Sequence, residues 1–278
     1  MSPQPSMQVR FWGVRGTVAV PGPGTVRYGG NTACVEVNCG ARRVIFDGGT
    51  GIRAFGDEVV AAGAGLDADI LLSHCHLDHV TGLPFFAPFY APAHRLRLWA
   101  GNLLPDTRLE DTLRKVMSAP LFPIGIDTFQ AEVTFRDFKA GEALQLGDGI
   151  EVCTASLNHP GGVTGYRMEC AGRSVTYLTD TEHVPGQLDS GVLALARNAD
   201  LMIYDSTYTD EEFPQYVGWG HSTWQHAVRI AIAAGAKQVA IFHHDPTRDD
   251  AALDAIEMAA KRMYAGALVA REGLTLSL

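Results

Sequence analysis

No apolar run in this chain approaches the ~18–20 residues that a membrane-spanning helix requires. The first ten residues lack the apolar stretch of a secretory signal. No membrane partner is expected, and a cytoplasmic protein is the simplest reading. The chain also has no C-x-x-C pair. Its five cysteines, Cys34, Cys39, Cys75, Cys153 and Cys170, are scattered, which predicts free thiols in a reducing compartment. Basic residues are scarce: 22 Lys and Arg against 31 Asp and Glu leave a formal charge of −9. That balance argues against long nucleic acid as the main ligand, because Lys and Arg carry phosphate binding. It leaves a small phosphorylated substrate open, since bound metal can dominate the local field. There is no internal repeat, low-complexity tract or linker, so residues 1–278 read as a single domain.

Alternating or apolar segments predict strands at 7–12, 34–38, 43–47, 69–73, 95–99, 132–138, 150–157, 163–170, 173–179, 201–204 and 239–242. Helical spacing predicts helices over 52–62, 107–117, 193–197 and 249–265. Ser222-x-x-Gln225 reads as a capping box opening a further helix that Gly235 closes. Residues 1–6 read as a loose tail, and 13–31 as a loop rich in glycine and proline. The apolar loop L-F-P-I-G-I (121–126) is equally a substrate wall, a subunit contact or core.

The densest chemistry lies at S-H-C-H-L-D-H (73–79). An extended chain sends residues i, i+2 and i+4 to one face, so His74, His76 and Asp78 converge while His79 turns away. Cys75 points to the opposite face. Imidazole nitrogen and carboxylate oxygen are donors that borderline divalent metals accept. Four donors split across two faces suggest two adjacent metals.

Five apolar strands end in a potential ligand or acid–base group: His74, His159, Asp180, Asp205 and His243. Singly each has a plain alternative, His159 as a structural histidine, Asp180 and Asp205 as turn formers, His243 as a loop residue. Functional groups in open α/β sheets gather at one edge, outside the strand ends. These residues can therefore share one site. His94, His183 and His226 lack this context and read as ordinary core or surface residues.

S-H-C-H-L-D-H, N-H-P (158–160), L-T-D-T (178–181) and F-H-H-D-P (242–246) occur in the order that resembles the metallo-β-lactamase superfamily, and I-F-D-G-G-T-G (45–51) resembles its glycine-rich loop. The resemblance implies an α/β fold, an αβ/βα four-layer sandwich with helices outside two mixed sheets. It implies that His74, His76 and His159 hold one metal, that Asp78, His79 and His243 hold a second, and that Asp180 bridges them. Two zinc ions fit this donor set, with manganese possible, and a metal-bridging hydroxide would be the nucleophile.

Y-D-S-T-Y (204–208) and G-H-S-T (220–223) resemble the phosphodiesterase branch, which includes tRNase Z and the phosphoribosyl cyclic phosphodiesterases. Asp205 and His221 match an acid–histidine pair that protonates the leaving alkoxide, giving Asp78, Asp205 and His221 as the catalytic set. tRNase Z carries a long tRNA-gripping arm between its third histidine ligand and the bridging aspartate. His159 and Asp180 are too close for such an arm. F-W-G-V-R-G-T (11–17) and Y-G-G-N-T (28–32) are similar to small-substrate relatives instead. G-G-N-T either presents backbone amides near the site or makes a structural turn. The resulting expectation is a dinuclear phosphodiesterase acting on a small, cyclic phosphate ester, as a homodimer. A thioester, lactone or β-lactam hydrolase and a non-enzymatic ligand-binding protein are the alternatives.

Overall fold

The computed structural model describes residues 7–278; the tail expected over 1–6 lies outside the described residues. The first half of the chain forms β1 (Met7–Gly13), β2 (Cys34–Cys39), β3 (Arg42–Phe46), β4 (Asp67–Leu72), β5 (Arg95–Ala100) and β6 (Glu132–Asp137). The second half forms β7 (Ala143–Gly147), β8 (Ile150–Leu157), β9 (Val163–Cys170), β10 (Arg173–Leu178), β11 (Leu201–Asp205), β12 (Gln238–Phe242), β13 (Ala267–Val269) and β14 (Thr275–Ser277). Helices are α1 (Gly51–Ala61), α2 (Leu77–Val80), α3 (Leu109–Val116), α4 (Ser190–Ala196), α5 (Trp224–Ala234) and α6 (Asp250–Met263). One seven-stranded sheet runs β14-β1-β2-β3-β4-β5-β6, the other β13-β12-β11-β10-β9-β8-β7.

Both sheets are mixed, and each is buried on two faces. This explains why β3, β4, β11 and β12 read as apolar runs rather than alternations. Their inner faces meet around Phe11, Phe46, Tyr166, Tyr177 and Phe242. Phe46 stacks on Tyr177 with ring centroids 5.0 Å apart. The outer face of the first sheet packs Ile45, Ile70 and Leu98 against Ile52, Phe55 and Leu113 of α1 and α3. The outer face of the second packs Met202, Tyr204 and Ile241 against Leu195, Val228 and Leu253 of α4, α5 and α6. The order helix, sheet, sheet, helix is the four-layer sandwich expected from the sequence.

Strand direction brings the chemistry to one edge. β3 to β6 are mutually parallel, and so are β10 to β13. β8 is antiparallel to β9, and β9 to β10, so β8 ends at the same edge as β10, β11 and β12. β9 and β10 are joined by Ala171 and Gly172, both with positive φ (52° and 73°), a tight hairpin turn.

Three sequence expectations are corrected. Ser222 does not cap α5: Thr223 does, its Oγ1 accepting from His226 N at 3.0 Å. The one-residue shift leaves Ser222 N–H free to donate to Asp205. The sequence reading also missed β7, β13 and β14, short strands at sheet margins where little periodicity accumulates. Cys39 and Cys170 are not free thiols but a disulfide, with Cα atoms 6.7 Å apart. They end β2 and β9 and face each other between the sheets. With the two cysteines 131 positions apart, no local spacing announces the pair. Thiol titration of the unfolded, unreduced chain should return three thiols, those of Cys34, Cys75 and Cys153. Replacing both bridged cysteines with serine should lower unfolding free energy by about 2–4 kcal/mol in urea titration.

Candidate metal centre

The site lies at the shared strand edge. His74 follows β4, and His76 precedes the single turn of α2, which carries Asp78 and His79. This turn overturns the expected facing. The chain leaves the extended conformation at Leu77, so Asp78 joins His79 rather than His74 and His76. One group gathers His74, His76 and His159; the other gathers Asp78, His79, Asp180 and His243. All seven sequence candidates are therefore brought together, in the two sets that the resemblance implied. Cys75 is turned away into the apolar cluster outside the first sheet, and burial pushes its thiol up to about 12.

Donor spacing fits metal. Nitrogen donors ~2.0–2.1 Å from a tetrahedral ion lie roughly 3.3 Å apart. His159 Nε2 is 3.1 Å from His76 Nδ1. The Nε2 atoms of His79 and His243 stand 3.2 and 3.3 Å from Asp180 Oδ2, and 3.2 and 3.3 Å from Asp78 Oδ2. His74 Nε2 and His159 Nε2 both stand 3.9 Å from Asp180 Oδ1, so the two oxygens of Asp180 face different groups. The Nε2 atoms of His74, His79 and His243 are buried with no hydrogen-bond partner. Native interiors rarely tolerate this without an ion or water. Burial, reinforced by His79, pushes His74 well below the usual imidazole range. Burial also lowers His76 and His159, leaving neutral ligands with free lone pairs. Burial alone would raise Asp78 and Asp180, yet His79 and His243 hold both below the usual carboxylate range. So much buried negative charge in one place calls for cations, which divalent metals supply.

A second layer of contacts aims the ligands. Asp47, just past β3, is wholly buried. It accepts from His79 Nδ1 at 2.7 Å, Ser73 Oγ at 2.8 Å, Ser73 N at 2.7 Å and Tyr177 Oη at 2.8 Å. His159 Nδ1 donates to Gly220 O at 2.8 Å, and Thr17 N donates to Asp78 Oδ2 at 2.7 Å. Such partners fix ring orientation and ligand basicity. Gly16 lies flat on the His243 ring, where a Cβ would sit 2.2 Å from Cε1, so only glycine fits there.

Asp205 and His221 stand beside this centre, joined at 2.8 Å through His221 Nδ1. Burial lowers the imidazole, but the charge and hydrogen bond of Asp205, with Asp180 and Asp78 behind, outweigh it and push His221 up to about 9. Asp205 and His221 also fall within ligand distance of Asp180 and His243. Asp205 is nonetheless a poor ligand. Its Oδ1 already accepts from Thr207 N and Oγ1 and from Ser222 N, and its Oδ2 from His221 Nδ1.

The beta-lactamase superfamily domain matches residues 42–244. The chain belongs to the metallo-β-lactamase superfamily. It is 26% identical over 283 residues to a ribonuclease Z of Halorubrum lacusprofundi, covering 86% of each chain. In structure it is similar to the metallo-beta-lactamase fold protein YhfI of Bacillus subtilis (TM-score 0.75, 18% identity, 99% of this chain and 100% of that one). It is also similar to a diphosphatase from the PhnP family (TM-score 0.68, 22% identity, 98% and 97%).

Superfamily membership makes this protein a hydrolase and gives the clusters their context. Sequence reading missed Asp47, Thr17, Ser73 and Tyr177. For Asp47 a signal existed: R-V-I-F-D is one more apolar strand ending in an acid. Of the histidines set aside, His94 accepts from Leu66 N at 2.9 Å. His183 and His226 stack together at 3.9 Å and belong to none of the groups that could hold metal among the described residues. Asp47→Ala would strand buried donors on Ser73, His79 and Tyr177. At about 1–3 kcal/mol each, urea titration should show a loss of at least several kcal/mol. In the milder Asp47→Asn, chelator competition should show zinc affinity about 10–100-fold weaker.

Proposed function

We propose that this protein is a dinuclear metal-dependent phosphodiesterase acting on a small phosphate ester, cyclic nucleotides and ribose cyclic phosphates being the candidate class. The observation that carries the reading is the Asp205–His221 pair, 2.8 Å apart, at the margin of the two ligand groups. His74, His76 and His159 would hold one metal, Asp78, His79 and His243 the other, with Asp180 shared, zinc being the best fit and manganese a substitute. When bound, the metals would lower the pKa of water to about 7 and offset charge on the phosphoryl oxygens.

The chain's own residues supply the rest. Water, oriented by Asp78, loses one proton to solvent and forms a new P–O bond as the P–O bond to the leaving oxygen breaks, and a proton from solvent restores His221 after turnover. An alkoxide leaves poorly without a proton. His221 gives up its Nε2 proton to that oxygen, while Asp205 holds the opposite nitrogen and stabilises the charged ring. A thiolate leaves without a proton, so thioesters need this donor less, which favours phosphodiesters over them. Against tRNA stands the interval from His159 to Asp180. It is filled by the β9–β10 hairpin with its two-residue turn, leaving no arm. The kinship to ribonuclease Z supports the bond type rather than that substrate.

A homodimer belongs to the same reading. Leu121 is 78% exposed on the 121–126 loop, where Phe122 packs edge-on against exposed Phe85 at 5.5 Å. Light scattering should report a dimer for the wild type and a monomer for Leu121→Asp.

His221→Ala should cut kcat on cyclic phosphates by about 10²–10⁴-fold while metal content stays unchanged. Bis(p-nitrophenyl) phosphate, whose leaving group needs no proton, should be far less affected. An equal loss on both substrates would remove His221 as the proton donor. A raised imidazole keeps its proton until pH climbs through its folded pKa, so kcat on an alkoxide leaving group should fall on the alkaline side of neutrality. In Asp205→Asn that limb should move to lower pH. Turnover of thioesters or a cephalosporin but of no phosphodiester would overturn the reading.

A further inference from the structure

A ladder of aromatic rings leads away from His221. Tyr208 meets the His221 ring edge-on with centroids 6.1 Å apart. Tyr216 stacks on Tyr208 at 4.3 Å and 5°. Trp219 meets Tyr216 edge-on at 5.6 Å. Exposure rises outward along the ladder: Tyr208 is 5% exposed, Tyr216 half-buried and Trp219 63% exposed. The other tryptophans are spoken for. Trp12 and Trp224 are buried, and Trp99 donates to Asp69 at 2.9 Å.

The turn that carries Trp219 is fixed in place. Glu182 Oε2 accepts from Gly218 N at 2.7 Å and Gly220 N at 2.9 Å, one on either side of the tryptophan. Trp219 N donates to Tyr216 O at 3.0 Å. Gly220 lies directly against a candidate ligand: its carbonyl holds His159 Nδ1, and a Cβ there would sit 2.2 Å from that nitrogen. An indole presented to solvent on a pinned turn, two residues before the proton donor, loses little freedom on binding a flat ring. What it meets is set by where it stands. His221 protonates the leaving oxygen, so the nearest part of the substrate is whatever that oxygen's sugar carries.

We propose that Trp219, backed by Tyr216 and Tyr208, is a stacking platform for the base of a nucleoside phosphodiester, on the leaving-group side of the site. Glu182 is the positioning residue that holds the platform. The inference rests on the phosphodiesterase reading and narrows it, since a nucleoside cyclic phosphate has a base to stack and a bare ribose cyclic phosphate has none. The chain's negative charge suits a single nucleotide better than a long strand.

The test compares adenosine 2′,3′-cyclic phosphate with methyl ribofuranoside 2,3-cyclic phosphate, which lacks the base, on the zinc-loaded full chain. Loss of one base–aromatic stack should lower kcat/KM for the adenosine substrate about 10- to 100-fold in Trp219→Ala. The base-free substrate should change less than about threefold, and Trp219→Phe should recover most of the loss because every aromatic face can stack. Titration with AMP should quench fluorescence that Trp219→Ala lacks, and ribose 5-phosphate should not. Equal effects on both cyclic phosphates would overturn the platform while leaving the phosphodiesterase intact. So would a change in oligomeric state with both rates unaltered, which would place Trp219 between copies of this chain. If neither cyclic phosphate turns over, the phosphodiesterase reading falls for this class. The platform is then decided by AMP quenching alone, which supports it if present and overturns it if absent.

Discussion

The buried carboxylate of Asp47 is the constraint on which the site depends. It stands between the sheets and accepts from Ser73 and His79 on one side and from Tyr177 of β10 on the other. Each of those donors is buried, and each would cost about 1–3 kcal/mol if left without a partner. Asp47 therefore locks the end of β3 to the start of the ligand turn and to the second sheet at once. The turn at 73–79 has no rigid framework of its own, since α2 is a single turn. Its precision comes from this anchor, from Thr164 N donating to Ser73 O across the sheets at 2.9 Å, and from Tyr166 Oη donating to Leu72 O at 2.6 Å.

The same edge concentrates strained backbone. Thr17, Asp47, Asp180 and His243 are non-glycine residues with φ between 53° and 66°. Such positions cost about 1–3 kcal/mol each and persist only where surrounding structure over-determines them. Three of them directly follow a strand or lie one residue beyond its end, where the chain must turn sharply to aim a side chain along the edge. Thr17 does the converse: its backbone N–H, not its side chain, reaches Asp78. The packed interior between the sheets sustains this strain. Phe46 and Phe242, each immediately before a strained residue, are both wholly buried in it.

Much of this was legible in the sequence, for a physical reason. Buried strands leave apolar runs, and although each charged or imidazole residue at the end of such a run has a plain alternative, five of them recurring beside the 73–79 cluster marked one edge. The facing within 74–79 was misjudged because the two-residue alternation holds only while the chain stays extended, and L-D-H-V gives no helical period in four residues. Cys39 and Cys170 were invisible as a pair because their meeting depends on the register of two strands in different sheets. The Ser222 cap was a near miss, since Ser222 and Thr223 are chemically interchangeable caps and only the demand of Asp205 for the Ser222 N–H separates them.

Selectivity and metal binding are built on separable parts of the fold. The ligand groups draw on both sheets, and the 73–79 turn cannot move without breaking the contacts of Asp47 with Ser73 and His79. The segment from Asp205 to His221 is tied to the proposed ligands at both ends, through Thr207 Oγ1 to His243 and through Gly220 O to His159, and Glu182 pins its turn; between these ties Trp219 is exposed. Within those seventeen residues lie the proposed proton donor, its carboxylate partner and the exposed Trp219. On the proposed reading, a change at His221 or Trp219 would alter which leaving group is protonated or what it stacks on, while the contacts of Asp47 stay in place. Conversely, no change in that segment can supply a long arm, because the β9–β10 interval is taken up by the sheet itself. On the same reading, the β9–β10 hairpin would limit substrate size and the loop from Asp205 to His221 would set substrate chemistry.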